Sequence, residues 1–114
     1  PYFEFYEDDL KPLYDAEFEY LMDFNLKTIE IICDCLQLAM PRANTEVFKI
    51  DHENDYRDLV RVKNKFQLEQ TDYVQVFGDR HGFTPNLSIL DLLFNLGPNA
   101  TIYLKETKLM AGNA

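Results

Sequence analysis

Apolar side chains recur at steps of three and four along the first third of the chain, where Phe18, Leu21, Met22, Leu26, Ile29, Cys33 and Leu36 line one face of a helix. Phe24, Ile31, Cys35 and Leu38 form a second stripe on the same segment. The spacing predicts one long helix over residues 17–38, apolar on two sides. A helix of that kind lies between two layers or faces material that the chain does not supply. The expectation is that Leu21, Ile29, Ile32 and Leu36 pack inward. The stripe of Phe24, Ile31, Cys35 and Leu38 then stays exposed and pairs two copies of the isolated chain as a homodimer. Pro12 suits the first turn of its own short helix, and Pro41 is expected to end the long one.

From Arg42 to Gln70 the pattern is polar and poorly periodic, with charges alternating in sign as on a solvated surface. TEVFKI (residues 45–50) and DYVQVF (72–77) are β-branched and aromatic enough to be short strands, and YRDLVRV (56–62) reads as a helical turn or two. His52 falls in an exposed stretch. A second helix opens at Ser88, whose hydroxyl can cap the free amides, with Asp91 three positions on in capping-box spacing. Gly97 ends it and Pro98 starts another helix through about Glu106, which makes a helix pair with a Gly-Pro corner. The tail LMAGNA is expected to fray. The fold class is mainly α: a small helical domain spanning 1–114, with at most one or two short strands.

Composition narrows the partners. The chain has 114 residues, 46% of them hydrophobic with nine Phe and seven Tyr, enough for one core. Its net charge of −9 opposes a phosphate backbone and an anionic membrane surface, so neither nucleic acid nor membrane is an expected partner. No apolar run approaches the ~20 residues of a membrane span, so the chain is expected to be soluble, and the cytoplasm is the expected compartment. Cys33 and Cys35 lie two apart on a helix and point to different sides, so they read as free thiols rather than a disulfide or half of a zinc site.

The chemistry concentrates between Gln75 and Asn99, where QVFGDRHGFTPNLSILDLLFNLGPN holds three of the four glycines and the triplet Asp79-Arg80-His81. Ser88, Asp91 and Asn95 follow at i, i+3 and i+7, one polar stripe on an otherwise apolar helix. Polar groups beside a core need partners, and the loop triplet is the nearest supply, so Arg80 or His81 is expected to meet Asp91. On that reading Asp91→Ala costs about 1–3 kcal/mol. His81 can serve as a general base, with Asp79 orienting it. The plainer reading stands beside it: Ser88 and Asp91 cap the helix, Asn95 bonds near its end, and Asp79-Arg80 is a turn. No metal cluster and no phosphate loop is present in the pattern, and no cofactor is implied.

GDRHGFTPNLSILDLLFNLGPNA, preceded by YVQVF and followed by Tyr103-Leu104, resembles the C-terminal signature of the WbqC-like family of bacterial proteins. PYFEFYEDDLKPLY and FEYLMDFNL are similar to that family's middle region. The likeness runs from Pro1 to about Lys105 and implies a further N-terminal half as a partner of this one. It also implies a place in O-antigen and other surface-polysaccharide assembly, with a transferase-type activity that includes glycine transfer to a sugar. The substrate would be a small sugar or aminoacyl compound. The motif positions carried over are Asp79, Arg80 and His81 in the loop, then Pro85, Asn86, Ser88, Asp91 and Asn95. Among them His81 and Asp79 are the catalytic candidates, and Arg80, Asn86, Ser88, Asp91 and Asn95 the binding candidates. The rival class is a binding or scaffolding module in which the same stripe only locks the loop.

Overall fold

Local punctuation sets most of the elements. The computed structural model describes residues 1–51, 53, 55–61 and 66–111; His52 lies outside them. Helix α1 (Phe3–Leu10) runs into α2 (Pro12–Asp15), and Pro12 occupies the first turn, where its missing N–H is no loss. Helix α3 spans Leu21–Leu36. Its end is not set by Pro41. Gln37 adopts a left-handed conformation (φ 58°), which lets Leu38 N–H reach Cys33 C=O at 2.8 Å and Gln37 N–H reach Asp34 C=O at 3.1 Å. That pair of bonds closes the helix four residues before the proline.

Further along, Arg57–Val60 forms a single 3-10 turn. Strand β1 (Phe66–Glu69) pairs antiparallel with β2 (Lys108–Ala111), Phe66 opposite Ala111 and Glu69 opposite Lys108. The two strands expected at 45–50 and 73–77 are absent, and part of the tail expected to fray is instead β2. The one-turn helix α4 (Gly78–His81) precedes α5 (Ile89–Leu96), a 3-10 turn at Gly97–Asn99 and α6 (Ala100–Glu106). The mainly α reading holds.

Tyr6 and Leu10 of α1, Ile31 and Leu36 of α3, Leu92 and Leu93 of α5 and Ala100 of α6 make the core, in which Leu93 alone among the large side chains is fully enclosed. Two bonds tie the layers. Tyr2 N–H donates to Phe94 C=O at 2.8 Å, and the Thr101 hydroxyl to Leu36 C=O at 2.6 Å.

The faces of α3 depart in part from the expected arrangement: Ile32 and Leu36 pack inward and Leu38 is exposed, as expected, but Ile31 and Cys35 change places with Leu21 and Ile29. Ile31 is buried and Cys35 packs against the core, whereas Leu21 is 74% and Ile29 47% exposed. The inward stripe is the one carrying Ile31, Cys35 and Leu36. The outward one is Leu21, Met22, Leu26 and Ile29. No helix among the described residues is long and apolar enough to cross a membrane.

Candidate functional site

Helix α5 begins as its sequence dictates. The Ser88 hydroxyl accepts from Leu90 N–H at 3.1 Å, and Ser88 C=O accepts from Asp91 N–H at 2.9 Å. Ser88 is therefore occupied by its cap. Asp91, one position further into the turn, looks outward to the preceding loop. Its Oδ2 accepts from the Tyr73 hydroxyl at 2.5 Å and from Gln75 Nε2 at 3.2 Å. Its Oδ1 accepts from Asn95 Nδ2 at 3.2 Å, and the same nitrogen donates to Asp91 C=O at 2.7 Å. Gln75 also clamps the loop across nine residues, donating to Thr84 C=O and accepting from Thr84 N–H, each at 2.9 Å. The Tyr73 ring packs edge-on against Phe83 and Tyr103, and the Tyr103 hydroxyl donates to Thr71 C=O.

The partners of Asp91 are thus Tyr73 and Gln75, not the expected Arg80 or His81. The reason is reach: residues 73 and 75 run directly past the start of α5, while Asp79, Arg80 and His81 sit on the single turn α4 at the far end of the loop. Neither does Asp79 orient His81. Residues two apart on a helix face different ways; Asp79 lines a cleft with Tyr73, Val74 and Phe83, and His81 lines another. Arg80 is exposed and forms no ion pair among the described residues. Asn86 is held in a left-handed conformation (φ 56°), its N–H donating to Gln70 Oε1 at 2.7 Å. Its role is in the turn.

What the fold brings together is a cleft of ≈ 480 Å³ between the loop, α5 and the start of α1. Phe3, Val76, Phe77, Leu87 and Phe94 supply its apolar walls. His81, Thr84, Gln75, Asp91 and Asn95 supply its polar groups. That volume and mixture suit a small-molecule ligand. Of the predicted site residues, His81, Asp91 and Asn95 converge here, and Asp79, Arg80, Asn86 and Ser88 do not. Sequence reasoning missed Tyr73, Gln75 and Thr84; the polar tips of Tyr73 and Gln75, two apart in the apolar run DYVQVF just ahead of the loop, were the available signal. Among the described residues no group of three or more His, Cys, Asp or Glu side chains is placed to hold a metal ion.

Two tests follow from the Asp91 network. Alanine at Asp91 takes away the acceptor of the Tyr73 hydroxyl and one of the two acceptors of each of the Gln75 and Asn95 amides, so Asp91→Ala costs about 1–3 kcal/mol in urea melts. A loss under about 0.5 kcal/mol shows that the loop does not depend on it. Burial first, and then the hydrogen bond to Asp91, push the Tyr73 phenol from its ordinary value near 10 up to about 12. The folded state keeps this proton longer than the unfolded chain, so the contribution is complete below pH 10 and is lost as pH rises towards 12. Tyr73→Phe should flatten the fall in urea midpoint across that window. Tyr6, Tyr103 and Cys35, each raised first by burial, add to the fall that remains. An unchanged profile in the variant removes Tyr73 as its source.

A model of the WbqC-like protein family matches the chain in two overlapping stretches, residues 1–75 and 60–103. No curated protein and no solved structure matches it.

Proposed function

The chain belongs to the WbqC-like protein family, and from that premise we propose that it acts as a transferase on a sugar in bacterial surface-polysaccharide (O-antigen) assembly, aminoacyl transfer included. The observation that carries this reading is His81, whose imidazole lines the cleft and makes no hydrogen bond among the described residues. A side chain with no structural duty is free to exchange protons with a ligand.

In the proposed reaction a sugar hydroxyl in the cleft attacks the acyl carbon of the donor. The oxygen–acyl bond forms, the bond from the acyl carbon to its leaving group breaks, and His81 takes the hydroxyl proton and passes it to the leaving group. Orientation of the imidazole comes from the ligand and the cleft walls in place of Asp79. Arg80, on the same turn but outside the cleft, is the cation available to an anionic donor. Asp91 and Asn95 hold the acceptor.

The test is mass spectrometry of sugar acceptors incubated with panels of aminoacyl and nucleotide-sugar donors and the protein. A mass shift equal to the transferred group supports the reading; no product with any donor counts against it. One observation favours a non-catalytic binding module: Ser88 and most of Asp91 are consumed by internal hydrogen bonds. Saturable sugar binding without product would select that module.

A further inference from the structure

A second cleft, of ≈ 370 Å³, adjoins the first along helix α5. Asp91 and Asn95 face the first cleft and Leu90 the second, while Phe94, four positions from Leu90 and three from Asp91, lines both. Phe3 of α1 also lines both, its ring near-perpendicular to that of Phe94 (88°) with centroids 5.3 Å apart. The two clefts therefore meet at one pair of rings. Opposite Leu90 the second cleft is walled by α1 and α2, whose Phe3, Glu7, Lys11 and Tyr14 follow at steps of four, four and three and so share a face. Its polar groups are mixed: Glu7 and Asp8 accept, Lys11 donates and the Tyr14 hydroxyl does both. Among the described residues none of these four side chains makes a hydrogen bond or ion pair. Tyr14 is 81% and Phe3 50% exposed, so two aromatic rings stand open beside them.

We infer that the two clefts are adjoining subsites of one oligosaccharide site: one sugar residue of the acceptor lies against His81, and the next lies beyond Phe3 and Phe94 in the second cleft. The inference rests on reading the first cleft as the sugar-acceptor site. Both volumes fall in the range of roughly 300–1,000 Å³ typical of small-ligand sites, so a single sugar ring in one leaves the other open. A sugar hydroxyl donates and accepts at once, which suits carboxylates, an ammonium and a phenol that have no partner of their own. The C–H faces of a sugar ring are apolar and suit the rings of Phe3, Phe94 and Tyr14. Linked sugars repeat both chemistries at the next subsite.

The experiment titrates the protein with the methyl glycosides of glucose, galactose and N-acetylglucosamine and with maltose, lactose and chitobiose, following the NMR resonances of Leu87 in the first cleft and of Leu90 and Tyr14 in the second. Once one ring is seated, a linked second ring binds as an intramolecular event, so the best disaccharide should bind at least about tenfold more tightly than the best monosaccharide. It should shift the signals of both clefts with one midpoint. The double variant Lys11→Ala, Tyr14→Ala alters two exposed side chains outside the core and should bring that advantage down to about threefold or less. Disaccharides that bind no more tightly than monosaccharides, with shifts confined to Leu87, overturn the second subsite and leave the first cleft as the acceptor site. Shifts confined to Leu90 and Tyr14, or an advantage that survives the double variant, overturn the joint site. If no probe gives saturable shifts at any of the three residues, the inference and the functional reading fall together.

Discussion

Alanine at Gly97 should remove about 2–5 kcal/mol of stability, a large share of what a domain of this size has to lose. Two independent costs meet at this residue. Its backbone sits at φ 55°, ψ −127°, a conformation that side chains disfavour. A Cβ there would also lie 2.6 Å from Cδ1 of Tyr2, 2.7 Å from Cγ and 2.8 Å from Cε1. The ring has little freedom to retreat. Tyr2 is pinned on both sides of its backbone, by its N–H on Phe94 C=O and by Phe5 N–H on its own carbonyl. Moving the ring therefore disturbs the attachment of α1 to α5. Urea melts of Gly97→Ala, Tyr2→Ala and the double variant separate the costs, because Tyr2→Ala relieves the clash in the double variant and leaves the backbone strain. A single-variant loss below about 1 kcal/mol would falsify the close approach.

His81→Ala should lower the transfer rate about 10²–10⁴-fold while changing stability by no more than about 0.5 kcal/mol. The split follows from the setting of the imidazole: it lines the cleft yet bonds to nothing among the described residues, so its removal leaves the Asp91 network and the core untouched. Product formation is read by mass spectrometry and folding by urea midpoints on the same samples. A variant that retains wild-type rates excludes His81 as the base. A variant that melts early assigns it a structural duty instead.

Signals confined to a few neighbouring residues were legible in the sequence. Pro12 in a first turn, the Ser88 cap and the Gly97-Pro98 corner each follow from the conformational demands of one or two residues, and each stands where it was read. Choices made by packing were not legible. The long helix carries two apolar stripes, and periodicity alone does not say which one meets Tyr6, Leu10 and α5; the stripe with Ile31 does. Strand pairing lay further out of reach. FQLE and KLMA are 42 positions apart at the Phe66–Lys108 starts and carry weaker β character than TEVFKI or DYVQVF, but they find each other while those two find no strand partner. In the site, His81, Asp91 and Asn95 were legible as polar groups on one helix and the loop before it. The division of labour among them was not, because α4 turns Asp79 away from His81 and hands Asp91 to Tyr73 and Gln75.

The Gln75 clamp has a consequence for how the loop can be altered. In a sheet, a loop's two ends are held by a ladder of backbone bonds, and changing the loop risks changing the register. Here the ends are stapled at Thr84 by one side-chain amide. The intervening Val76–Phe83 segment, with its Asp-Arg-His turn, is a cassette whose content can be exchanged without re-pairing any strand, provided position 75 keeps both an N–H donor and an acceptor, position 83 an aromatic ring against Tyr73, and the cleft-lining positions 76, 77 and 81 their groups. Glutamate at position 75 would keep the shape and lose the donor, releasing the cassette at its hinge.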